Sequence, residues 1–213
     1  MTRLKITEIF HSLQGEAQFA GMPTVFVRLT GCPLRCHYCD TAYAFHGGEW
    51  WELPKILERV RTFATHDVCV TGGEPLAQRH CAELLHELCD AGYRVSLETS
   101  GAMSVAGLDP RVIRVVDVKT PGSGEESRNL YPQLQTLQGQ DQIKFVITSR
   151  ADYEWSRERV QELALAARCG VLFSPSFAQV EPRELAEWIL ADRLPVRFQV
   201  QLHKLLWGEE RGR

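Results

Sequence analysis

The chain has 213 residues, 44% hydrophobic and 24% charged, a size and balance that support a buried core and exclude a disordered polymer. Its 24 basic and 27 acidic residues give a formal net charge of −3, which offers no electrostatic footprint for nucleic acid. No apolar run reaches the ~20 residues of a membrane helix, and the first ten residues lack the apolar segment of a signal peptide. Seven cysteines are therefore expected in a reducing, cytoplasmic setting, with metal or redox roles rather than in disulfides.

Arg3 to Phe10 alternates apolar and polar residues, which predicts a strand. His11 to Gly21 reads as a polar loop, and Thr24 to Leu29 as a β-branched strand that feeds a cysteine-rich loop. Apolar residues at helical spacing (Leu53, Ile56, Leu57, Val60, Phe63) predict a helix over Leu53 to Ala64. Val68 to Thr71 is a short strand ending at Gly72-Gly73, followed by a helix from Leu76 to Ala91 that Gly92 terminates. Strands are expected over Tyr93 to Leu97, Val112 to Val118, Ile143 to Ile147, Val171 to Phe173 and Val196 to Leu202. Helices are expected over Asp152 to Arg168 and Pro182 to Leu190. The charged tail Gly208 to Arg213 reads as frayed.

Strands alternating with helices imply an α/β fold with a mostly parallel sheet. About six core strands are too few for a closed eight-stranded barrel of ~250 residues. The expectation is a partial, TIM-like (β/α) barrel forming a single domain over residues 1–213, with a doubly wound open sheet as the alternative. In either architecture ligands bind beyond the C-terminal ends of the strands.

Chemistry concentrates in Gly31 to Thr41, where Cys32, Cys36 and Cys39 are spaced Cys-x3-Cys-x2-Cys. A structural zinc site wants four ligands, usually as two paired knuckles, and a ferredoxin-type cluster wants a fourth cysteine. Three thiolates acting as a unit leave one iron of a cubane cluster open for chemistry. Zinc with a histidine such as His37, or no metal at all, are the structural alternatives. The other cysteines, Cys69, Cys81, Cys89 and Cys169, sit in apolar surroundings and read as small buried hydrophobes. Thr71-Gly72-Gly73-Glu74-Pro75 follows a strand, and its glycines allow close backbone approach to a ligand. Asp40 and Thr41 offer hard oxygen ligands of the kind Mg2+ accepts, although taken alone the pair reads first as a helix N-cap. Trp50-Trp51 reads as a packed or interface patch.

The cysteine triplet, with aromatic Tyr38 before its last member, resembles the signature of radical S-adenosylmethionine (SAM) enzymes. Together with Leu13-Gln14-Gly15-Glu16, Arg28, Cys39-Asp40-Thr41, Thr71 to Pro75 and Gln201-Leu202-His203-Lys204, it is similar to the 7-carboxy-7-deazaguanine synthase family, over nearly the whole chain. That resemblance implies a lyase on the route to queuosine and related 7-deazapurines. Its members rearrange 6-carboxy-5,6,7,8-tetrahydropterin with loss of ammonia and regenerate SAM in each turnover. It implies a 4Fe–4S cluster, SAM and Mg2+ as cofactors, a small pterin substrate, an external flavodoxin-like one-electron donor and a homodimer, with neither nucleic acid nor a membrane as partner.

Carried over residue by residue, the resemblance assigns Cys32, Cys36 and Cys39 to the cluster and Thr41 to Mg2+. It assigns Leu13, Gln14, Gly15, Arg28 and Thr71 to the substrate. Arg28 suits this role because a guanidinium can clamp a carboxylate through two bonds. Tyr38, Gly73, Asp117, Val118, Lys119 and the run Ser174, Pro175, Ser176 and Phe177 fall to SAM, with Ser100 a possible ribose contact. Asp117 stands where serine is commoner in the family. Glu98 and His203 read as either site residues or structural polar groups. Some family members end shortly after the Gln-x-His-Lys stretch, whereas this chain continues through Trp207 to Arg213. A glycyl-radical activating enzyme shares the cysteine spacing but would not need Gln14, Arg28 or Thr41, and a non-catalytic Fe–S carrier would not need the Gly-Gly-Glu-Pro loop.

Overall fold

The structure is a computed structural model and describes residues 2–213. Nine strands form one sheet in the order β3-β1-β2-β4-β5-β6-β7-β8-β9. They are β1 (Arg3–Leu13), β2 (Pro23–Leu29), β3 (Glu49–Glu52), β4 (Asp67–Gly72), β5 (Arg94–Ser100), β6 (Ile113–Asp117), β7 (Gln142–Ile147), β8 (Gly170–Pro175) and β9 (Arg197–Phe198). β2 through β9 run parallel, while β1 pairs antiparallel with both β2 and β3. The sheet ends in β3 and β9 and does not close, so it is the partial (β/α) barrel expected, with a two-residue strand added to the six parallel core strands.

Alternation along the strands separates the two faces. Val25, Val27, Leu29, Val68, Val70, Val95 and Leu97 point outward and pack with Ile56 and Val60 of α1 (Leu53–Arg61) and Leu84 and Leu88 of α2 (Cys81–Asp90). Val116, Ile143, Phe145, Val171 and Phe173 do the same around Tyr153 of α4 (Arg150–Glu162) and Leu185 of α5 (Pro182–Ala191); the intervening α3 (Tyr131–Leu134) adds Leu134 to this second cluster. Each such side chain, fully buried, contributes about 1.5–3 kcal/mol. The alternate positions, Arg28, Thr71, Glu98, Asp117 and Lys144, fall on the inner face and line one cavity.

Several boundaries differ from the sequence reading. The helix expected over Leu76 to Ala91 is split into a 3-10 turn, Pro75–Ala77, and α2. Gln78 between them is extended, and its side chain bonds Lys5 N, Lys5 O and Thr30 O at 2.8, 2.8 and 2.9 Å. The helix expected to reach Arg168 stops at Glu162, where Ala164 turns left-handed (φ 49°), and it begins earlier, under a Ser149 cap that accepts from Asp152 N. β5 runs on to Ser100, which places Glu98 inside a strand and not in a loop. β1 likewise absorbs His11 to Leu13.

The strand expected over Val196 to Leu202 is reduced to Arg197–Phe198. Gln199 and Gln201 turn their side chains onto Ala17 N and Glu16, and Leu202 N donates to Gly15 O at 3.0 Å, which starts α6 (Leu202–Trp207). β3, unforeseen in the sequence, carries the tryptophan pair: Trp51 packs on the first core cluster, and Trp50 is 57% exposed. Cys69, Cys81, Cys89 and Cys169 are buried, as expected.

Candidate active site

The cysteine loop leaves the C-terminal end of β2 and is fastened to the Gly-Gly turn after β4. Glu74 N donates to Gly31 O at 2.8 Å, and Gly73 N to Leu29 O at 3.2 Å. A Cβ on Gly73 would lie 2.3 Å from Gly31 O and 2.9 Å from Cys32 Cβ, so only glycine lets the two loops meet. The Glu74 side chain is fully buried and serves structure. It accepts from Leu76 N (3.0 Å), Thr99 Oγ1 (2.7 Å), Ser100 N (2.7 Å) and Ser100 Oγ (2.6 Å), joining β4 to β5. Ser100 is thereby committed to Glu74.

A cavity of about 410 Å3 opens over the inner face. Cys32, Cys36 and Cys39 line one side, all three as free, half-buried thiols. Burial pushes their pKa values up, that of Cys36 to about 11, against the pull of the nearby Lys119 ammonium. Among the described residues no group of three or more His, Cys, Asp or Glu side chains converges on the position of a single metal ion. A cubane cluster does not require that convergence, because its ligating sulfurs belong to different irons. Three thiols on one short loop, with no further ligand converging on them among the described residues, fit such a cluster better than a four-ligand zinc site.

Across the cavity the residues expected to meet substrate assemble. Gly15 meets the His203 ring so closely that a Cβ would fall 2.1 Å from Nδ1, which joins the Leu-Gln-Gly-Glu and Gln-Leu-His-Lys stretches. Gln14 Nε2 donates to Glu98 Oε1 at 3.3 Å, and Thr71 Oγ1 to Glu98 Oε2 at 2.9 Å. Arg28 Nε donates to Glu8 Oε1 at 2.7 Å, and the Tyr43 hydroxyl donates to the same oxygen at 2.8 Å. Burial alone would lower the Arg28 pKa, but Tyr43, Glu8 and Glu98 outweigh it and hold the guanidinium charged.

The floor carries a row of alternating charges. Lys144 Nζ lies 2.8 Å from Glu16 Oε2 and 3.6 Å from Asp117 Oδ2, and Lys119 Nζ donates to Asp117 Oδ2 at 2.9 Å. Burial opposes these charges, but the lysines hold Asp117 below the ordinary carboxylate value, and the carboxylates hold both lysines above the ordinary lysine value. Asp117 Oδ1 and the Tyr38 hydroxyl are buried on this wall without a hydrogen-bond partner among the described residues. Two orphaned polar atoms beside three thiols fit a polar cofactor seated there.

Most predicted site residues thus reach one cavity. Val118, Ser174 and Pro175 do not line it: Val118 packs in the second core cluster, and the other two lie within β8, while Ser176 and Phe177 beyond them do line it. Thr41 also lines the cavity. It precedes a 3-10 turn, Ala42–Phe45, yet makes no side-chain cap, and its hydroxyl donates to Asp40 Oδ1 at 2.8 Å. The tail folds back over the site, with Arg211 stacked 4.3 Å over Tyr43 and Arg213 on the cavity wall. Glu8 and Lys144 are site residues that sequence reasoning missed; Glu16 entered there only as a member of the Leu-Gln-Gly-Glu stretch with no role of its own, and Glu98 was left undecided. For Glu8, Glu98 and Lys144 the signal is a charged side chain within a strand, whereas Glu16 lies in the loop after β1 and carries no such sign.

An open parallel sheet with a three-cysteine loop after its first parallel strand defines a radical SAM protein, and the family model of the radical SAM superfamily matches residues 26–116. The chain is 44% identical over 210 residues to a 7-carboxy-7-deazaguanine synthase of Chlorobaculum tepidum, covering 97% of this chain and 96% of that one. It is 41% identical to the synthase of Koribacter versatilis, over 97% and 98% of the two chains. Among solved structures, QueE from Escherichia coli superposes with a TM-score of 0.77 at 25% identity, over 94% of this chain and 95% of that one. The chain belongs to the 7-carboxy-7-deazaguanine synthase family. As a radical SAM protein it uses a 4Fe–4S cluster and SAM. No helix among the described residues is long and apolar enough to cross a membrane.

Proposed function

We propose that this chain converts 6-carboxy-5,6,7,8-tetrahydropterin to 7-carboxy-7-deazaguanine with loss of ammonia, within queuosine and related 7-deazapurine biosynthesis. The observation that carries this reading is the 44% identity, over nearly the full length of both chains, to a relative of that name.

The chemistry of the cavity supports it. A pterin carboxylate needs a cation, and Arg28 offers its two terminal nitrogens, since Glu8 bonds only Nε. The pyrimidinone edge of a pterin presents an N–H and an amino group side by side, a donor pair that a carboxylate complements. Glu98 faces the cavity with its carboxylate held by Gln14 and Thr71, and is the acceptor we assign to that edge. Leu13 and Gly15 form the wall beside it.

When bound, the cluster and SAM would supply a 5′-deoxyadenosyl radical that takes hydrogen from C6 of the pterin and gives it back only after the ring has contracted. The residues of the chain hold and orient. Cys32, Cys36 and Cys39 are the cluster ligands of this proposal, and the backbone at Gly73 receives the amino group of SAM. Tyr38, Asp117, Lys119, Ser176 and Phe177 surround the rest of SAM, while Val118, Ser174 and Pro175, which do not line the cavity, only lead the chain into those positions. Thr41 binds Mg2+, a role supported by a hydroxyl that does not cap the turn behind it and by the few protein ligands Mg2+ requires. Mg2+ held at Thr41 would supply positive charge for the substrate carboxylate.

The proposal includes an external flavodoxin-like one-electron donor. It includes a homodimer, supported by the exposed Trp50 on the edge strand β3. It places the enzyme in the cytoplasm, supported by seven free cysteines, and as one domain, supported by the single continuous sheet. The test is anaerobic turnover of reconstituted protein with the tetrahydropterin, SAM, dithionite and Mg2+, followed by mass spectrometry. Appearance of 7-carboxy-7-deazaguanine is expected. A loaded cluster that cleaves SAM but leaves the pterin unchanged would overturn the reading.

A further inference from the structure

We infer that Lys144 is a positioning residue that holds the loop carrying Gln14 and Gly15 against the β6 end of the cavity, so that removing its charge loosens substrate binding without touching substrate. The loop after β1 crosses the inner face of the sheet. Its backbone is fastened by two glutamines, with Ala17 N on Gln199 Oε1 at 2.9 Å and Gln18 N on Gln142 Oε1 at 3.0 Å. Ala17 itself sits left-handed (φ 63°) and packs on Val115 and Leu172. Between these anchors and Gln14, the only charged tie is Glu16, whose carboxylate meets the Lys144 ammonium at 2.8 Å.

The same ammonium lies 3.6 Å from Asp117, which in turn holds Lys119. All four side chains are nearly withdrawn from water, with 10% to 16% of their side-chain surface exposed. In so shielded a place a charge depends on its neighbours, and one left alone is costly. Lys144 is the only cation within salt-bridge distance of Glu16 among the described residues. Without it, Asp117 keeps Lys119, but Glu16 is left with only the Gln199 and Gln201 amides at 3.3 and 3.0 Å, a shielded carboxylate with no cation. The cheapest relief is for Glu16 to swing to water, carrying with it the Gly15 carbonyl that receives Leu202 N at 3.0 Å.

The inference rests on the assignment of Gln14 and Gly15 to the substrate, and the experiment separates the two. Hydrogen exchange on the ligand-free protein reads the loop alone. Lys144→Met, similar in length and uncharged, should raise exchange at the amides of Ala17, Gln18 and Leu202 by about tenfold, and Lys144→Arg should restore slow exchange. Equilibrium binding of 6-carboxypterin to reconstituted protein reads the consequence. Lys144→Met should weaken it about 30-fold, the effect of losing one partner of a shielded charge pair, while iron content stays at wild type.

Glu16→Gln combined with Lys144→Met removes both charges, which guards against a fold failure of the single variant. The double variant should lose no more affinity than Lys144→Met alone, because the two act as one unit. Unchanged exchange and affinity in Lys144→Met, or losses that simply add in the double variant, would overturn the inference. Failure of the wild-type protein to bind the pterin would instead overturn the substrate assignment, and the exchange rates would still decide the role of Lys144.

Discussion

Arg28 and Glu8 face each other across β2 and β1, with Nε donating to Oε1 at 2.7 Å, and no protein acceptor bonds the two terminal nitrogens of Arg28 among the described residues. Glu8 therefore orients the guanidinium without saturating it. Arg28→Ala should weaken pterin binding about 30- to 1,000-fold, since a charge-assisted bidentate pair in a shielded site is worth on the order of 2–4 kcal/mol. Arg28→Lys should recover only part, because an ammonium cannot fork. Calorimetric titration with 6-carboxypterin checks this, and wild-type affinity in Arg28→Ala would mean that another group holds the carboxylate.

Glu98 makes the complementary case. Glu98→Gln keeps the shape but replaces one acceptor oxygen with a donor, which would oppose the donor edge of the pterin. Affinity should fall about tenfold to 100-fold, as expected for one mismatched charged hydrogen bond. SAM binding should stay unchanged, because Glu98 bonds only Gln14 and Thr71. A parallel loss of SAM affinity would place Glu98 outside the substrate subsite.

The three thiols separate cleanly from the buried four. Cys36→Ala should lose iron and all SAM cleavage, whereas Cys89→Ala, a change within the core contacts of α2, should keep both. Iron analysis and the broad cluster absorbance after anaerobic reconstitution report the outcome. Full iron content in Cys36→Ala would contradict the ligand assignment.

What the sequence made legible was local. The cysteine triplet and the Gly-Gly turn each lie within one loop, and the strand-helix alternation that names the fold repeats along the chain. The hidden parts depend on which strands become neighbours. Glu98 sits among the mixed residues of β5 and Lys144 among the mainly apolar residues of β7, and their partners Gln14 and Glu16 lie 84 and 128 residues away. The C-terminal stretch misled for a related reason. Val196 to Leu202 has strand-like composition, but Gln199 and Gln201 are recruited by Glu16 and Ala17, and the local pattern carries no sign of that.

Glu74 illustrates a motif residue whose work is structural. Its buried carboxylate accepts four hydrogen bonds from Leu76, Thr99 and Ser100. Glu74→Gln reverses the polarity of one oxygen against fixed donors and should cost about 2–4 kcal/mol of stability. Urea unfolding of the ligand-free protein measures this. A stability change under about 0.5 kcal/mol, the usual range for a surface substitution, would show that the clamp is dispensable.

Thr41 divides two roles. As a Mg2+ ligand, Thr41→Ala should keep its cluster and SAM binding but need more Mg2+ for half-maximal turnover, and Thr41→Ser should restore the wild-type response. Rate against Mg2+ concentration decides the matter. Superimposable curves for the three proteins would leave Thr41 with no metal role.

The central claim is a rearrangement that expels ammonia and returns SAM. It is tested most directly by anaerobic turnover of the wild-type protein with the tetrahydropterin in large excess over SAM, counting ammonia, 7-carboxy-7-deazaguanine and remaining SAM. The account expects ammonia and product in equal amounts, both well above the SAM supplied, with SAM largely intact. SAM consumed one for one as methionine and 5′-deoxyadenosine, with no ammonia released, would contradict it.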